Sequence, residues 1–492
     1  MIDPRHPVVV AAAQRSVRTA DAEPIAMMAD AAAGAFATLP QEVVDDIHSV
    51  RVVRGIWPYA DAGRLVAAAL SIDVSETAAT GIGGNATYDL VNHTALQIAH
   101  GHLDAALVCG AETMRTRRAD NAAGRSSTYL DEPAGAEPDF FVGGDDDLFD
   151  DADIAAGVAE PVNFYAMAES CLRHRQGDFG ATHAKRISSL WAQGAAVAAG
   201  NPNAWIRTAP TAADIGTTTP TNRMVAAPYP KLMSANINVD QSAAIVLTSY
   251  ELAAHHGVPD EQMLFLVSGS GAYEHPVIRQ RWELDRSPAF SASAERALSL
   301  ADRNIDDIDH LDLYSCFPSS VQLAQAHLGV TSDRPFTITG GLTFAGGPFN
   351  GYCTQALAQA HAHLAGTAES AFLHGNGGFF SKQSVMIVSG ETPGHPYRYE
   401  RVQDVVDATP SRPLTPVVGP AVIEASTVVF ERSGEPGHGI ISALGPNGAR
   451  TWAVTDDRSL INSLLCEETC GREVLIEAGD PPVAALPDRG DG

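Results

Sequence analysis

The feature that most constrains the fold is a unit that occurs twice in the chain. In each copy a glycine-rich turn precedes a helical stretch, and the helix leads into an apolar strand that ends in glycine. The two glycines lie 26 positions apart in the first copy (Gly84 and Gly110) and 28 in the second (Gly347 and Gly375). This repetition predicts two copies of one βα unit, with both glycine turns near a common axis.

Strand-like and helical stretches also alternate around these two units. Apolar runs typical of buried strands occur at residues 8–13, 50–53, 105–108 and 240–247. Helical patterns lie between them, as at residues 24–36 and 87–100. Alternation of this kind predicts an α/β fold, in which a mostly parallel sheet is covered by helices on both faces.

Two regions interrupt the alternation. The first, residues 116–235, is rich in proline and is interpreted as a large insertion. The second, from residue 393 onwards, begins with a linker that contains several prolines. After that linker, short β-rich runs separated by glycines predict a small β-barrel or sandwich. We therefore predict an N-terminal half at residues 1–115 plus 236–265, a loop domain at 116–235, a C-terminal half at 266–392 and an additional β-rich domain at 393–492.

Composition limits the class of protein. Hydrophobic residues make up 45% of the 492 positions and charged residues 18%, which is enough apolar material for a large core. The formal net charge is −27. Because so negative a chain repels the phosphates of nucleic acids and of anionic membranes, we expect neither as a partner.

Other sequence signals are weak. No apolar run approaches the roughly 20 residues of a membrane-spanning helix, and the first residues lack a signal-peptide core, so we expect no membrane span and a cytoplasmic protein. The six cysteines include no Cys-x-x-Cys pair, which speaks against a disulfide framework and a thiolate zinc site. The acidic run at residues 145–151 is interpreted as a solvated loop, with metal binding as the alternative; we predict no metal site.

Five motifs resemble those of the thiolase superfamily. In the family they read Gly-x-Glu-Ser-Met, Asn-Asp-Gly-Ala-Ala, Asn-Glu-Ala-Phe or His-Asp-Cys-Phe, Gly-His-Pro and Cys-x-Gly-Gly-Gly. Here the corresponding segments lie at residues 101–114, 238–244, 308–317, 340–348 and 374–378. With its additional C-terminal domain, the chain is most similar to the mycobacterial thiolase-like proteins of type 1.

The resemblance implies a fold, a ligand and a chemistry. The implied core is a duplicated βαβαβαββ unit layered α/β/α/β/α, with an inserted loop domain and a small C-terminal domain like a β-barrel. The implied ligand is CoA or an acyl-CoA, which acts as a substrate rather than a cofactor, and the implied class is the acyltransferases of the acetyl-CoA acetyltransferase type. In such enzymes a cysteine at the tip of the central helix attacks the thioester, a histidine of Gly-His-Pro activates it, and a second cysteine moves a proton.

This chain departs from that pattern at each catalytic position. Counting back from Gly110 puts the nucleophile's position at Gly84, and the position of the histidine falls on Gly347. The position of the second cysteine falls on His374. Because glycine offers neither a nucleophile nor a base, we do not expect ordinary thiolysis. A Gly-His-Pro at residues 394–396 lies past the last core strand and is interpreted as a chance match.

Backbone N–H groups can still bind a ligand although the catalytic side chains of the family are missing. The resemblance places Gly84, Gly347 and Gly377 at turns whose N–H groups bind a thioester oxygen in the family, so they are the predicted ligand-binding residues. The alternative is that these glycines only permit tight turns.

Three side chains are candidates for catalysis. His374 occupies a proton-transfer position, and Tyr314 and Cys316 lie in the segment that carries His-Asp-Cys-Phe in one branch of the family. Tyr314, with Tyr352 as a further candidate, resembles the acid–base tyrosines of thiolase-like aldolases that lack the cysteine. For each of these side chains, a purely structural role is the alternative.

Three functional hypotheses follow. The first is an acyltransferase-like protein of lipid or sterol metabolism that binds CoA or acyl-CoA without ordinary thiolysis. The second is a carbon–carbon lyase that acts on a β-hydroxyacyl-CoA through Tyr314 or His374, and the third is a non-catalytic scaffold for another lipid-metabolism enzyme. Whether the chain is an enzyme, and whether it is a monomer or a homodimer, stays open at this point.

Overall fold

The computed structural model describes residues 2–144 and 148–487, so residues 145–147 of the predicted acidic loop lie outside the described part. The first elements are β1 (Pro7–Ser16), α1 (Pro24–Phe36), α2 (Gln41–Asp45), β2 (Ser49–Val53), α3 (Ala62–Leu70), β3 (Glu76–Thr80), α4 (Ala86–Ala99), β4 (Ala105–Thr113) and α5 (Met114–Ala122). The inserted region follows with β5 (Phe140–Val142), α6 (Asp151–Ala155), α7 (Pro161–Gln176), α8 (Gly180–Gly200), α9 (Ala212–Gly216), β6 (Met224–Ala226) and β7 (Tyr229–Pro230).

The second part of the core consists of β8 (Asp240–Ser249), α10 (Tyr250–His255), β9 (Leu264–Tyr273), α11 (Pro288–Leu300), β10 (His310–Asp312), α12 (Pro318–Leu328), α13 (Gly341–Phe344), α14 (Tyr352–Leu364), β11 (Ser370–Gly377), β12 (Lys382–Ser389), β13 (Arg398–Arg401) and α15 (Gln403–Asp407). The last elements are β14 (Gly419–Phe430), β15 (Pro436–Leu444), β16 (Arg450–Thr455), α16 (Arg458–Cys466), β17 (Glu473–Glu477) and β18 (Val483–Ala485). Single 3₁₀ turns occur at Lys231–Met233, Asp260–Gln262, Ile278–Gln280, Ile305–Asp307 and Phe349–Gly351.

One large sheet runs through the core in the order β10-β11-β12-β9-β1-β8-β4-β2-β3-β5, with β13 added beside β9. Its two halves meet where β1 pairs with β9 over only two residue pairs, Val8 with Phe265 and Val9 with Leu264. Further along the same strand, β13 pairs with β9 instead. The sheet therefore bends into two nearly separate halves, as a duplicated core requires.

The helices form three layers around these two halves. α1 packs on β1, β4 and β8, whereas α11 packs on β9 and β12 on the far side. Between the halves lie α4, which contacts β11 and β12, and α14, which contacts β1 and β8. Both central helices are buried around most of their circumference. The predicted α/β/α/β/α layering is confirmed.

Five strands of the C-terminal region close into a β-barrel. β14 pairs with both β15 and β17, and the order β14-β15-β16-β18-β17 returns to β14. Side chains that include Ile423, Ile441 and Leu460 fill the interior. Closure leaves few exposed sheet edges in so small a unit, and the predicted β-barrel is confirmed.

A buried ion pair fastens this barrel to the core. The guanidinium group of Arg450 lies 2.6 Å from each carboxylate oxygen of Glu424, which lies on the neighbouring part of the barrel. It also donates to the carbonyl oxygens of Arg279 (3.2 Å) and Trp282 (3.2 Å), which belong to the core. One fully buried side chain therefore joins the two units.

The predicted domain limits stay a prediction, but sheet pairing crosses them at two places. β13 falls within residues 393–492 and yet pairs with β9 of the core sheet. The hairpin β6–β7 falls within the inserted region and yet extends the barrel sheet, with Ala226 opposite Val429 of β14. No helix in the described part of the chain has the length and hydropathy that crossing a bilayer requires.

Candidate functional site

The tip of α4 is the position where the sequence predicts a missing nucleophile. Gly84 lies two positions before Ala86, the first residue of α4, and next to the N-cap residue Asn85. A Cβ atom built on Gly84 would lie 2.2 Å from the hydroxyl oxygen of Tyr314 and 2.5 Å from the carbonyl oxygen of Asn376. Since real Cβ contacts this short do not occur, only glycine fits at this position while Tyr314 stays in place.

Tyr314 follows β10 and directs its phenol at this helix tip. Its ring stands perpendicular to that of Tyr352, with the centroids 5.7 Å apart. Burial raises the pKa of Tyr314 well above 10, and the neighbouring thiols of Cys316 and Cys353 raise it further. The phenol is therefore neutral at physiological pH, and it can donate a hydrogen bond but cannot serve as a general base there.

The second glycine turn lies directly against the first. A Cβ on Gly377 would lie 3.1 Å from the backbone nitrogen of Gly84 and 2.2 Å from Oδ1 of Asn85. The Asn85 side chain donates to Asp89 through Nδ2 (2.7 Å), while its Oδ1 is buried and has no donor among the described residues. Gly84 and Gly377 are thus neighbours, and the Asn85 amide fills the space between their turns.

Two backbone donors stay free at this helix tip. The N–H groups of Gly84 and Asn85 have no hydrogen-bond acceptor within the described ranges, whereas Gly83 donates to Oδ1 of Asn350 at 3.0 Å. Unpaired N–H groups at the N-terminus of a helix carry a partial positive charge and bind electron-rich oxygens. Two such donors are therefore available at the tip of α4.

A thiol that was not among the predicted catalytic residues lies beside the same tip. Sγ of Cys353 donates to the carbonyl oxygen of Gly84 at 3.0 Å. Burial raises the pKa of Cys353 well above its usual value and raises that of Cys316 to about 12. Neither thiol is ionised at neutral pH, so neither is an activated nucleophile. The signal for Cys353 is its place in the first turn of α14, the second copy of the repeated helix.

His374 points away from the glycine turns, contrary to its predicted role. Successive side chains of a strand face opposite sides, and in β11 it is Gly375 that faces α4: its Cβ would lie 2.9 Å from Cα of Asn85. The imidazole of His374 instead packs on Phe290 of α11 at 4.4 Å between ring centroids. The residue of β11 that faces the helix tip is therefore one position further along the chain than the sequence suggested.

Hydrogen bonds fix His374 in its neutral form. Nδ1 accepts from the backbone N–H of Tyr314 (3.3 Å), so Nε2 carries the proton and donates to Oε1 of Gln383 (2.7 Å). Burial lowers the pKa of His374 to about 4, and the bond to Gln383 opposes that shift only in part. The ring supports the backbone of Tyr314 and leaves no nitrogen free for proton transfer.

Gly347 is the predicted ligand-binding residue whose backbone donor is already used. Its N–H donates to the carbonyl oxygen of Asn236 at 3.0 Å. A Cβ on Gly347 would have its nearest neighbours at 3.5 to 3.6 Å, in Leu342, Ala235 and Asn236, so a side chain would fit there without strain. The same loop reaches the tip of α4 three residues later, where Oδ1 of Asn350 accepts from the N–H of Gly83.

The remaining candidates have structural partners. The Tyr352 hydroxyl lies 2.9 Å from Oδ1 of Asp312 and 2.6 Å from Oγ1 of Thr339, so it has no free hydrogen-bonding capacity for a ligand. Burial raises the pKa of Asp312 to about 6 despite these bonds. His395 of the Gly-His-Pro run lies in the loop between β12 and β13 and contacts the carbonyl oxygen of Pro396 at 2.8 Å.

The fold, with its duplicated core and closed barrel, is thiolase-like. Residues 401–480 match the family model of the thiolase-like protein type 1 additional C-terminal domain. Over its whole length the chain is similar to the structure of a monomeric SCP2-thiolase-like protein type 1 from Mycobacterium smegmatis, with 28% identity, a TM-score of 0.84, and coverage of 99% of this chain and 100% of that one. The resemblance noted in the sequence is confirmed.

Two more distant structures share the fold. An Ltp2–ChsH2(DUF35) aldolase is similar over 78% of this chain and 98% of that chain, with 16% identity and a TM-score of 0.62. The dimeric peroxisomal thiolase of Saccharomyces cerevisiae is similar over 80% of this chain and 99% of that chain, with 13% identity and a TM-score of 0.58. No curated protein sequence matches the chain.

Proposed function

We propose that this protein binds CoA or an acyl-CoA thioester at the tip of α4 and forms no covalent acyl-enzyme. The observation that carries the proposal is the Tyr314 hydroxyl, which occupies the place of a side chain on Gly84. A neutral phenol there replaces the thiolate of the family, and burial keeps the nearby thiols protonated. Covalent attack on a thioester then has no nucleophile.

What remains suits the recognition of a carbonyl group. The free N–H groups of Gly84 and Asn85 and the Tyr314 hydroxyl are hydrogen-bond donors at one helix tip. Donors arranged in this way polarise a carbonyl oxygen, and the dipole of the 14-residue helix α4 adds to the effect. We propose a thioester from lipid or sterol metabolism as the ligand, since the resemblance to SCP2-thiolase-like proteins implies that class.

Isothermal titration with free CoA and with acetyl-CoA tests this proposal. We expect Tyr314→Phe to weaken acetyl-CoA binding about fivefold, because one hydrogen bond contributes about 1 kcal/mol, and to leave free CoA unaffected, because CoA lacks the carbonyl. Tyr250→Phe, in α10 outside the site, is the matched control. If neither ligand binds at millimolar concentration, the ligand class is wrong and the scaffold hypothesis takes its place.

The phenol also favours a second candidate, a carbon–carbon lyase. In such a reaction the β-hydroxyl of a β-hydroxyacyl-CoA loses its proton to a base and becomes a carbonyl. The Cα–Cβ bond breaks, and its electron pair forms a thioester enolate that then takes up a proton. The neutral phenol of Tyr314 is suited to donate that last proton. Release of an aldehyde or ketone from such a substrate, abolished in Tyr314→Phe, would support the lyase, and unchanged release in that variant would remove Tyr314 from the mechanism.

We infer that the protein is a monomer, as the Mycobacterium smegmatis relative is. β5 of the inserted region pairs with β3 and so covers that edge of the core sheet. An exposed strand edge is a ready site for pairing with a second chain, and here the same chain supplies the pairing strand. Light scattering after size exclusion should give a mass near 51.7 kDa, and twice that mass would contradict the inference.

A further inference from the structure

Two arginines lie over one tryptophan on the surface of this acidic protein, and the charge of a third, Arg207, acts on Arg18. Arg18 follows β1, Arg115 lies in the first turn of α5, and Arg207 lies with Trp205 in the segment between α8 and α9. The guanidinium carbon of Arg18 is 4.0 Å from the centroid of the Trp205 ring, and that of Arg115 is 5.8 Å from it. We call these four residues the arginine patch.

Backbone contacts hold the patch in a fixed arrangement. Arg18 donates to the carbonyl oxygens of Trp205 (2.8 Å) and Ala204 (2.9 Å). The backbone N–H of Trp205 in turn donates to the carbonyl oxygen of Ala345 at 2.9 Å, just before the turn of Gly347. Arg18 and Trp205 are therefore held in a fixed arrangement, next to the turn of Gly347.

No carboxylate forms a close ion pair with the charged groups of the patch, Arg18, Arg115 and Arg207, in the part of the chain that the structure describes. The buried Nε of Arg115 has no acceptor there. Burial lowers the pKa of Arg18, and the neighbouring charges of Arg115 and Arg207 lower it further. Asp240 interacts electrostatically with Arg115, but both its oxygens accept hydrogen bonds from Thr116.

Such a grouping needs an explanation in a chain with a net charge of −27. Many other arginines of this protein pair with carboxylates, as Arg175 does with Asp285 at 2.8 Å. Three like charges held close together without a paired carboxylate cost free energy that a bound anion would recover. The planar fork of guanidinium matches the oxygens of a phosphate group, with which it forms two parallel hydrogen bonds.

We propose that the arginine patch binds the phosphate groups of a small phosphorylated molecule. The inference stands apart from the proposed function, because it concerns a surface on the Gly347 side and not the helix tip of Gly84. The phosphates could belong to CoA or to a free phosphorylated metabolite, and the chemistry of recognition is the same for both.

Titration of the full-length protein with inorganic pyrophosphate at low ionic strength tests this inference. We expect wild-type protein to bind, and Arg207→Gln to bind about tenfold more weakly, as the loss of one charge-assisted contact implies. Arg207 is exposed, so this variant should fold. Arg432→Gln, an equal charge change on an exposed residue of the barrel, is the control and should bind within about twofold of wild type.

Two results would overturn the inference. One is an absence of pyrophosphate binding to the wild type, and the other is equal weakening in Arg207→Gln and Arg432→Gln, which would show only a general charge effect. Arg115→Gln removes a guanidinium group whose Nε has no acceptor among the described residues. We expect it to weaken pyrophosphate binding as much as Arg207→Gln does.

A competition experiment identifies the source of the phosphates. If saturating pyrophosphate weakens CoA binding, the patch recognises the phosphates of CoA; if CoA binds unchanged, it recognises a separate phosphorylated molecule. Either result keeps the patch as a phosphate site. Pyrophosphate binding should also be unchanged in Tyr314→Phe, so a failure of the proposed thioester site would remain distinguishable from a failure of the patch.

Discussion

Placing a methyl group on Gly84 tests the packing at the helix tip. In Gly84→Ala the new Cβ would lie 2.2 Å from the Tyr314 hydroxyl oxygen and 2.5 Å from the carbonyl oxygen of Asn376. The phenol can move only against Tyr352, and the carbonyl oxygen belongs to the backbone of β11. Overpacking of a core costs about 1–3 kcal/mol, and we expect the upper end here because both obstacles are held in place.

The expected loss is measurable as a melting temperature. Unfolding entropy is about 2.1 cal/mol/K per residue, so a chain of 492 residues has roughly 1 kcal/mol/K in total, and a loss of about 3 kcal/mol lowers the midpoint by about 3 °C. Gly347→Ala is the matched control, because its Cβ would meet its nearest neighbours at 3.5 Å or more. We expect that variant to stay within about 0.5 kcal/mol of wild type.

A double variant separates the contribution of the Tyr314 ring from that of the Asn376 carbonyl oxygen to the cost of Gly84→Ala. Tyr314→Ala removes the ring but leaves the Asn376 carbonyl oxygen, so Gly84→Ala should cost less in that background than in the wild type. Differential scanning calorimetry of the four proteins gives the coupling. Equal melting temperatures for Gly84→Ala and Gly347→Ala would refute the placement of the phenol at the nucleophile's position.

Further predictions concern pH dependence and the barrel. The pKa of His374 is about 4 in the folded protein against about 6.5 in the unfolded chain, so its contribution to stability is complete above pH 6.5 and is lost as the pH falls towards 4. The loss amounts to about 3 kcal/mol at 1.36 kcal/mol per pKa unit, and His374→Gln should show a correspondingly smaller decline in melting temperature over that range. Asp312 has the opposite sign: its folded pKa of about 6 makes stability fall as the pH rises from 4 to 6, and Asp312→Asn should remove that slope. Arg450→Gln removes the closest cationic partner of Glu424, although Arg412 at 3.7 Å and the Ser442 hydroxyl remain beside that carboxylate. The change should cost about 3 kcal/mol, the lower end of the range for a broken buried pair, and open the segment before the barrel to limited proteolysis, whereas Arg432→Gln should not.

Much of the fold can be predicted from patterns formed by residues that are neighbours in the sequence. The repeated turn–helix–strand unit and the glycine-separated β runs predicted the duplicated core and the barrel, and both are present. The predicted helix at residues 24–36 coincides with α1, whose start is set by Pro24 in the first turn and by the side chain of Glu23, which accepts from the N–H of Ala26. The residues that determine such helix ends lie within a few positions of them in the sequence.

The parts that sequence reasoning missed depend on register and on distant contacts. A strand has a period of two, so an error of one position moves a residue to the opposite face, and this is why His374 was assigned the place that Gly375 occupies. The filling of the nucleophile's space by Tyr314 joins residues 230 positions apart. No local pattern encodes that contact, and the same holds for Cys353 beside Gly84.

The glycine turns were predicted less completely. The repeat predicted that the turns of Gly84 and Gly347 lie near a common axis, and only the resemblance added Gly377. In the structure the backbones of Gly84 and Gly377 are in contact, whereas the N–H of Gly347 is bound to Asn236. The arginine patch left no sequence signal because its members lie in two connections and one helix that are far apart along the chain.

The central claim is that no nucleophile is available at the tip of α4. Intact-mass spectrometry of the full-length protein, acid-quenched after incubation with acetyl-CoA, tests it most directly. The structure predicts an unmodified mass at every time point, because the Tyr314 phenol occupies the nucleophile's place and the thiols of Cys316 and Cys353 are protonated. A stoichiometric acetyl adduct that maps to Cys353 or Cys316 would contradict the claim.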